Sequence, residues 1–547
     1  MTRRLTAELE RRTGYAGWSV IGAVSGLVLL GLAMIGLHWD VAWHVDLGRD
    51  KQVFTLPHVL ILAALVGLMA VSLVTIAVAT ATQADVRLRF RRWRVPSSAL
   101  LLLLFRAGGF VAFFLDELWH RAYGVDVTLL SPPHLGLLAS GSLSAIALWL
   151  MLLEGRTEAG PTALGRALHV VTLASVLIAL STYQLEFDYG VPLFSLVLLP
   201  VLLVAASGLA LIPARLAIGP GGAIAVAVTF LALRGPVTLL MGALGHTMPH
   251  LALYLPAALA VELVAWRAGT DRPVRFAVTC AGLIASLGLA GEWAWQVTVG
   301  HHHIAAGSWP LAATLVIAAS LGGTLLGTAL AGRDLPPVAT VLAGLLLVVA
   351  VGMPTQRRVG SVDAVVSLDR LRGDALVTVE LRPPTAARGA DLFMVWAVQG
   401  DGRVRGSLRE VEPGVYRSNR RVPVGGEWKT VVVLYRGTEV MAVPIALPAD
   451  REIGASQVPA VSIREVAFGS VDATLLREAH DGPRWTAVLV YAGLAAVMAV
   501  WLGFLARAVA SLRRDRTRWL SGRVDRSCAP AGGRRTESGL RRRRRRF

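Results

Sequence analysis

Two stretches of this sequence set one carboxylate and two imidazoles at the same intervals. In HWDVAWHVDLGRDKQVFTLPH (38–58), Asp40 and His44 are four residues apart, and His58 follows 14 residues later, directly after Pro57. In LDELWHRAYGVDVTLLSPPH (115–134), Asp116 and His120 repeat the step of four, and His134, directly after Pro133, repeats the step of 14. Residues i and i+4 share one face of a helix, so each Asp points the same way as its His. The second His opens the next apolar run, where an antiparallel helix turns back toward the pair. A carboxylate with two imidazoles is a ligand set for a metal ion, and imidazole suits copper, zinc, iron or nickel. The structural alternative is that Asp and His cap helix ends, while WH and WD pairs sit in an interfacial aromatic belt. Capping needs no fixed return of 14 residues, so the repetition favours metal binding.

The elements that must position these residues are membrane helices. The chain has 547 residues, of which 54% are hydrophobic and 16% charged, and its mean hydropathy is +0.59. Apolar runs of about 20 residues, long enough to cross a bilayer as helices, recur near 17–37, 57–80, 97–116, 132–153, 163–181, 191–212, 222–245, 250–268, 275–297, 309–330, 336–353 and 485–507. The expected fold is therefore mainly α: a polytopic bundle of about 12 spans, with an Ig-like β-sandwich inserted outside the membrane before the last span. The expected domains are a bundle over 1–354 with metal-site hairpins at 37–58 and 115–134, the sandwich over 355–480, a final span over 481–510, and a disordered basic tail over 511–547. The net charge of +18 falls in short loops and the tail, where it reports membrane orientation and not nucleic-acid binding. The two cysteines, Cys280 and Cys528, imply neither a disulfide framework nor a thiolate site.

Arginines cluster at 87–94 and return in alternate loops at Arg156, Arg215, Arg267, Arg272 and Arg333. By the positive-inside rule these loops and both termini are cytoplasmic, in a plasma membrane. The opposite loops carry both triads, and of the twelve histidines only His169 falls on the cytoplasmic side. In the segment 355–480, strand patterns stand at 375–381, 391–398, 430–437 and 439–447, separated by Gly and Pro turns. Its EPGVY and VGGEW stretches resemble the small immunoglobulin-like sandwiches of copper-handling proteins, and a docking or lid role is the favoured reading of this domain.

DVAWH, GRD and FTLPHV (40–59) resemble the copper-binding segment of the C subunit of the particulate methane and ammonia monooxygenases. The stretch 115–136 is similar to that subunit's second metal segment, and the two occur in the same order. The resemblance covers about residues 17–155. It implies one copper site at Asp40, His44 and His58 and a second at Asp116, His120 and His134, with zinc and iron open as alternatives at the second. Two departures stand out: His58 comes one residue later than the family spacing, and Asp116 replaces an asparagine, which adds negative charge. The activity implied is that of an oxygen-activating oxidoreductase on small hydrophobic substrates. The alternative is copper acquisition or delivery without turnover. The expected partners are membrane lipid, other membrane subunits or a copper chaperone, and no nucleic acid.

Asp46, Asp50 and Glu117 are placed to accept the outward ring N–H groups of the ligating histidines. His246 and His250 flank Met248 and Pro249 and need not share a helix face; an interfacial role is favoured for them. His301, His302 and His303 form a short metal-prone tract. Glu186, Asp188 and Glu292 are candidates for lining an entry path. Arg106 lies in the middle of an apolar run and needs a partner, for which Glu262 is the expected choice.

Overall fold

The computed structural model describes residues 2–47, 54–124, 128–299, 304, 306–356, 358–400, 402–451, 453–477 and 482–527. Asp50, His301, His302, His303, Cys528 and the terminal arginine run lie outside the described residues. An amphipathic helix α1 (Thr2–Thr13) leads into α2 (Gly17–Leu47) and α3 (Leu56–Ala81), and a short hairpin, β1 (Leu88–Phe90) and β2 (Trp93–Val95), leads into α4 (Ser97–Tyr123) and α5 (Pro132–Glu154). The bundle continues with α6 (Ala163–Ser181), α7 (Leu185–Asp188), α8 (Leu198–Ile218), α9 (Gly222–Ala243), α10 (Leu255–Ala268), α11 (Pro273–Leu283), α12 (Leu289–Val299), α13 (Trp309–Leu330) and α14 (Pro337–Gly352). A five-residue π segment, 284–288, joins α11 to α12 as one continuous helix.

Among the described residues, ten helices are long and apolar enough to cross a membrane, so the chain is a membrane protein. Two expected spans are shorter. The run 336–353 gives the 16-residue α14, and the run 250–268 gives the 14-residue α10. Before α10 the chain is irregular, because Pro249 cannot continue a helix and Tyr254 takes a left-handed backbone at φ 54°. The carboxylate of Glu292 accepts from the backbone N–H groups of Leu253 and Tyr254, which serves the donors that the helix start leaves open.

Helices α2 to α5 form a closed ring in which α2 packs on α3, α3 on α4, α4 on α5 and α5 on α2. Both return helices of this ring start alike. Pro57 stands in the first turn of α3 and Pro132 and Pro133 in that of α5, where Ser131 at the N-cap accepts from His134 N; Thr55, at the N-cap of α3, makes no such side-chain bond. His58 and His134 are thus both the third residue of their helix. A Cβ leans toward the helix N-terminus, so both rings are turned toward the end where α2 and α4 carry Asp40 and Asp116. Outside the ring, α8 and α13 approach closely through glycines. A side chain at Gly208, Gly323 or Gly327 would run into the facing backbone, the small-residue packing that brings helices together in lipid.

The β domain is antiparallel throughout. Its strands are β3 (Asp363–Leu371), β4 (Asp374–Arg382), β5 (Leu392–Gln399), β6 (Gly402–Glu412), β7 (Val415–Ser418), β8 (Val422–Pro423), β9 (Lys429–Arg436), β10 (Glu439–Ala446), β11 (Ile463–Ala467) and β12 (Gly469–Ser470). They run in the order β11-β3-β4-β7-β6-β5-β9-β10-β12, with β8 beside β4. One face of β5, β9 and β10 packs on the segment after α7: Phe187, Leu193 and Phe194 meet Trp396, Val433 and Tyr435. The Tyr435 hydroxyl donates to Pro192 O at 2.6 Å. A short helix α15 (Val471–Leu475) follows, and α16 (Arg484–Ser527) ends the described chain. The tail expected to be disordered from residue 511 begins as helix, since α16 runs unbroken to Ser527. Its arginines, leucines and lack of proline before Pro530 favour continuation.

Candidate metal centre

Asp40 and His44 lie on the last turns of α2, with His58 opposite them at the start of α3. The Nε2 atoms of His44 and His58 stand 3.6 and 3.0 Å from the same oxygen, Oδ1 of Asp40. In the second hairpin, Nε2 of His120 and of His134 stand 3.5 and 3.1 Å from Oδ2 of Asp116. In each triad the three ligand atoms lie within 4.8 Å of one another, and among the described residues no other group of three or more His, Cys, Asp or Glu does so. All six side chains are at most one-fifth exposed.

The His134 ring fixes the electrostatics of the second triad. Its Nδ1 lies 2.9 Å from Thr128 O, an atom that only accepts, so Nδ1 carries the hydrogen and donates. Neutral His134 then turns a lone pair on Nε2 toward the Asp116 carboxylate. Two acceptors at 3.1 Å repel unless a positive charge lies between them, either a proton or a metal ion. Asp116 Oδ1 is buried and takes no protein donor among the described residues. An under-served carboxylate facing imidazole nitrogens is the donor set of a cation site.

The triads are neighbours. Phe113, just before Asp116 on α4, meets the His58 ring edge-on at 5.9 Å. Asp40, His44 and His58, together with Asp116 and His134, line one cavity of about 930 Å³, which residues of α2 to α6 and of α9 border. Its membrane-level walls are largely apolar, including Leu27, Met34, Ile61, Leu65 and Leu138. Residues of the β domain, among them Gly400, Lys429 and Arg451, also line it.

Compared with known protein families, curated proteins and solved structures, this chain matches none. What its site can do must therefore be argued from its own residues.

Of the groups expected to orient the histidines, Asp46 and Glu117 have other partners among the described residues, and Asp50 lies outside them. Asp46 touches neither triad. It accepts from Thr247 N at 2.8 Å, meets His246 Nδ1 at 3.2 Å, and pairs with Arg403 Nη2 of β6 at 3.2 Å. Glu117 pairs with Arg121 at 2.8 Å on the same helix, at the surface. His246 has its other ring nitrogen engaged by Trp39 Nε1 at 3.3 Å, so both nitrogens are committed, and neither it nor His250 joins a ligand cluster. His169, the lone histidine at the arginine-rich end, is structural: Tyr15 OH and Trp149 Nε1 lie 2.9 and 2.7 Å from its ring nitrogens.

Among the described residues, the Thr128 carbonyl holds the His134 ring, a contact that no side-chain pattern could announce. Glu186 stabilises that loop, accepting from Leu129 N at 3.0 Å and from Thr128 Oγ1 at 3.3 Å. Glu186→Ala is expected to loosen the loop and weaken metal binding at the second triad by about 10–100-fold, the usual effect of losing an outer partner, and to leave the first triad unchanged. Competition against a chelator in the two-site protein reads both affinities.

Arg403 and Arg405 fasten the β domain to the segment after α7, donating to Tyr189 O at 2.8 Å and Gly190 O at 2.7 Å. Burial pulls the Arg403 pKa down, and Asp46 beside it pushes it back up. Arg403→Ala removes the cation beside a buried carboxylate that keeps its Thr247 and His246 contacts, and is expected to lower stability by about 1–3 kcal/mol, read as a shift of the unfolding midpoint in detergent.

Proposed function

We propose that this chain is a copper-binding integral membrane protein related to the C subunit of the copper membrane monooxygenases. In this reading it acts as an oxygen-activating oxidoreductase on small hydrophobic substrates. The observation that carries the reading is the pair of Asp-His-His clusters, each converging on one carboxylate oxygen and both facing one apolar cavity. Among divalent first-row ions, copper binds nitrogen and oxygen donors most tightly. Asp40, His44 and His58 would hold one ion, and Asp116, His120 and His134 the other. Bound copper would supply redox chemistry toward oxygen. The chain's own residues hold the imidazoles in register, exclude bulk water from the apolar walls and admit a hydrophobic molecule of limited size.

Adding α10 and α14 to the ten long helices gives twelve crossings. Cytoplasmic termini and arginine loops then go with extracytoplasmic triads and β domain. We read that domain as an Ig-like sandwich that caps the cavity mouth.

Metal analysis of the purified full chain tests the reading. About two copper ions per chain are expected, one of them lost in His44→Ala and the other in His120→Ala. Reductant-dependent oxygen uptake with a small hydrocarbon separates an enzyme from a carrier, which would exchange Cu(I) without turnover. Unchanged copper in both variants would end the site assignment.

A further inference from the structure

Arg106 is a guanidinium in the middle of a membrane helix, 3% exposed, and it lines the cavity. Its expected partner, Glu262, is engaged elsewhere: Glu262 pairs with Arg215 at 2.9 Å and accepts from Gly221 N and Ala223 N at the start of α9. Among the described residues Arg106 joins no ion pair. Its hydrogen-bond partners there are neutral, with Nε donating to Ser144 Oγ at 2.6 Å and Nη2 to Ser140 O. A charge held at membrane depth without a counter-charge, facing a cavity, marks a place where an anion is received.

Geometry sets the anion's shape. Arg106 precedes Asp116 by ten residues on one helix, which at 1.5 Å per residue is about 15 Å. Between them the walls are apolar: Ile61, Leu65, Phe113, Leu137 and Leu138. At roughly 1.3 Å of advance per methylene, from C–C bonds near 1.5 Å, that distance is spanned by about ten to twelve carbons. We propose that the cavity binds a medium-chain fatty carboxylate, its head on Arg106 and its methyl end at the level of the two triads. The binding rests on Arg106 and the cavity; taking the methyl end as the reacting end rests also on the metal reading above.

Binding of dodecanoate, dodecanol and dodecyl phosphate to the full-length protein in zwitterionic nanodiscs, with copper content measured on the same samples, tests this. The acid is expected to bind on the order of tenfold or more tighter than the alcohol. Arg106→Met should abolish that preference, Arg106→Lys should retain part of it, and copper content should stay the same in both. Equal binding of acid and alcohol by the unaltered protein would overturn the proposal, as would binding of neither. A preference that survives in Arg106→Met but disappears in His44→Ala or His120→Ala would place the carboxylate on metal and not on Arg106. Tighter binding of dodecyl phosphate than of dodecanoate would replace the carboxylate with a phosphate head. Copper loss in the His variants is read separately, so the metal reading can fail while the Arg106 site stands, or the reverse.

Discussion

Asp40→Ala is expected to remove one of two bound metal ions and leave the other in place. Both imidazoles of the first triad approach a single atom of Asp40, at 3.0 and 3.6 Å, so its loss deprives the cluster of its shared anionic donor. Losing even an outer partner of a ligand costs about 10–100-fold in affinity, and losing the ligand itself must cost more. The fold should tolerate the change. Neutral His44 and His58 need no counter-charge, and alanine is the best helix former for the end of α2. Asp116→Ala should do the same to the second ion, whereas Asp116→Asn keeps an oxygen donor without the charge and should retain weaker binding. Metal content per chain and chelator competition check each variant. Two full equivalents of metal in Asp40→Ala protein would remove the carboxylate from the site.

The triads were legible because their geometry is local. A step of four on a helix and a Pro-His entry to the next helix fix directions within one hairpin, and the fold obeys both. That the two hairpins adjoin across Phe113 and share a cavity was not legible, since nothing in either stretch encodes how α3 meets α4. Asp46 and Glu117 found other partners for a related reason. Sequence reasoning looks for nearby acidic side chains, and Asp46 is near in sequence, but its partner Arg403 is 357 positions away on a strand. The His134 ring is held by a backbone carbonyl, which every residue possesses. In the β domain the four apolar stretches are β4, β5, β9 and β10, while β3, β6 and the shorter strands have no such signal: the GRVRGSLREVE of β6 places arginine and glutamate on a half-exposed strand. The Arg106–Glu262 pairing failed because hydropathy ranks charges by depth in a run and says nothing about which helix ends face each other.

Arg234 supplies the larger test of how this bundle tolerates charge. It sits mid-helix in α9, 1% exposed, with Nη2 3.2 Å from Asp188 Oδ2, whose side chain is 5% exposed. Its Nε and Nη1 have no protein partner among the described residues. Around the pair, Tyr254 OH donates to Gln184 Oε1 at 3.1 Å, and Tyr189 OH donates to His38 O at 2.7 Å. The pair therefore lies in a polar seam that reaches α2 at His38, two residues before Asp40. Arg234→Met would leave a carboxylate buried without its cation, and Asp188→Asn a guanidinium without its anion. Each single change is expected to lower stability by about 3–5 kcal/mol. The double variant removes both charges and should recover most of that loss, because a buried pair offsets little more than its own desolvation. The coupling measured across the four proteins would then be large and favourable. Unfolding midpoints in one detergent give the cycle, and additive losses would show that Arg234 and Asp188 do not rely on each other. If the double variant recovers stability and still binds two metal ions, the pair serves the architecture of α6, α7 and α9. If it recovers stability and loses the first ion alone, the seam transmits to Asp40 through α2, where His38 and Tyr189 meet.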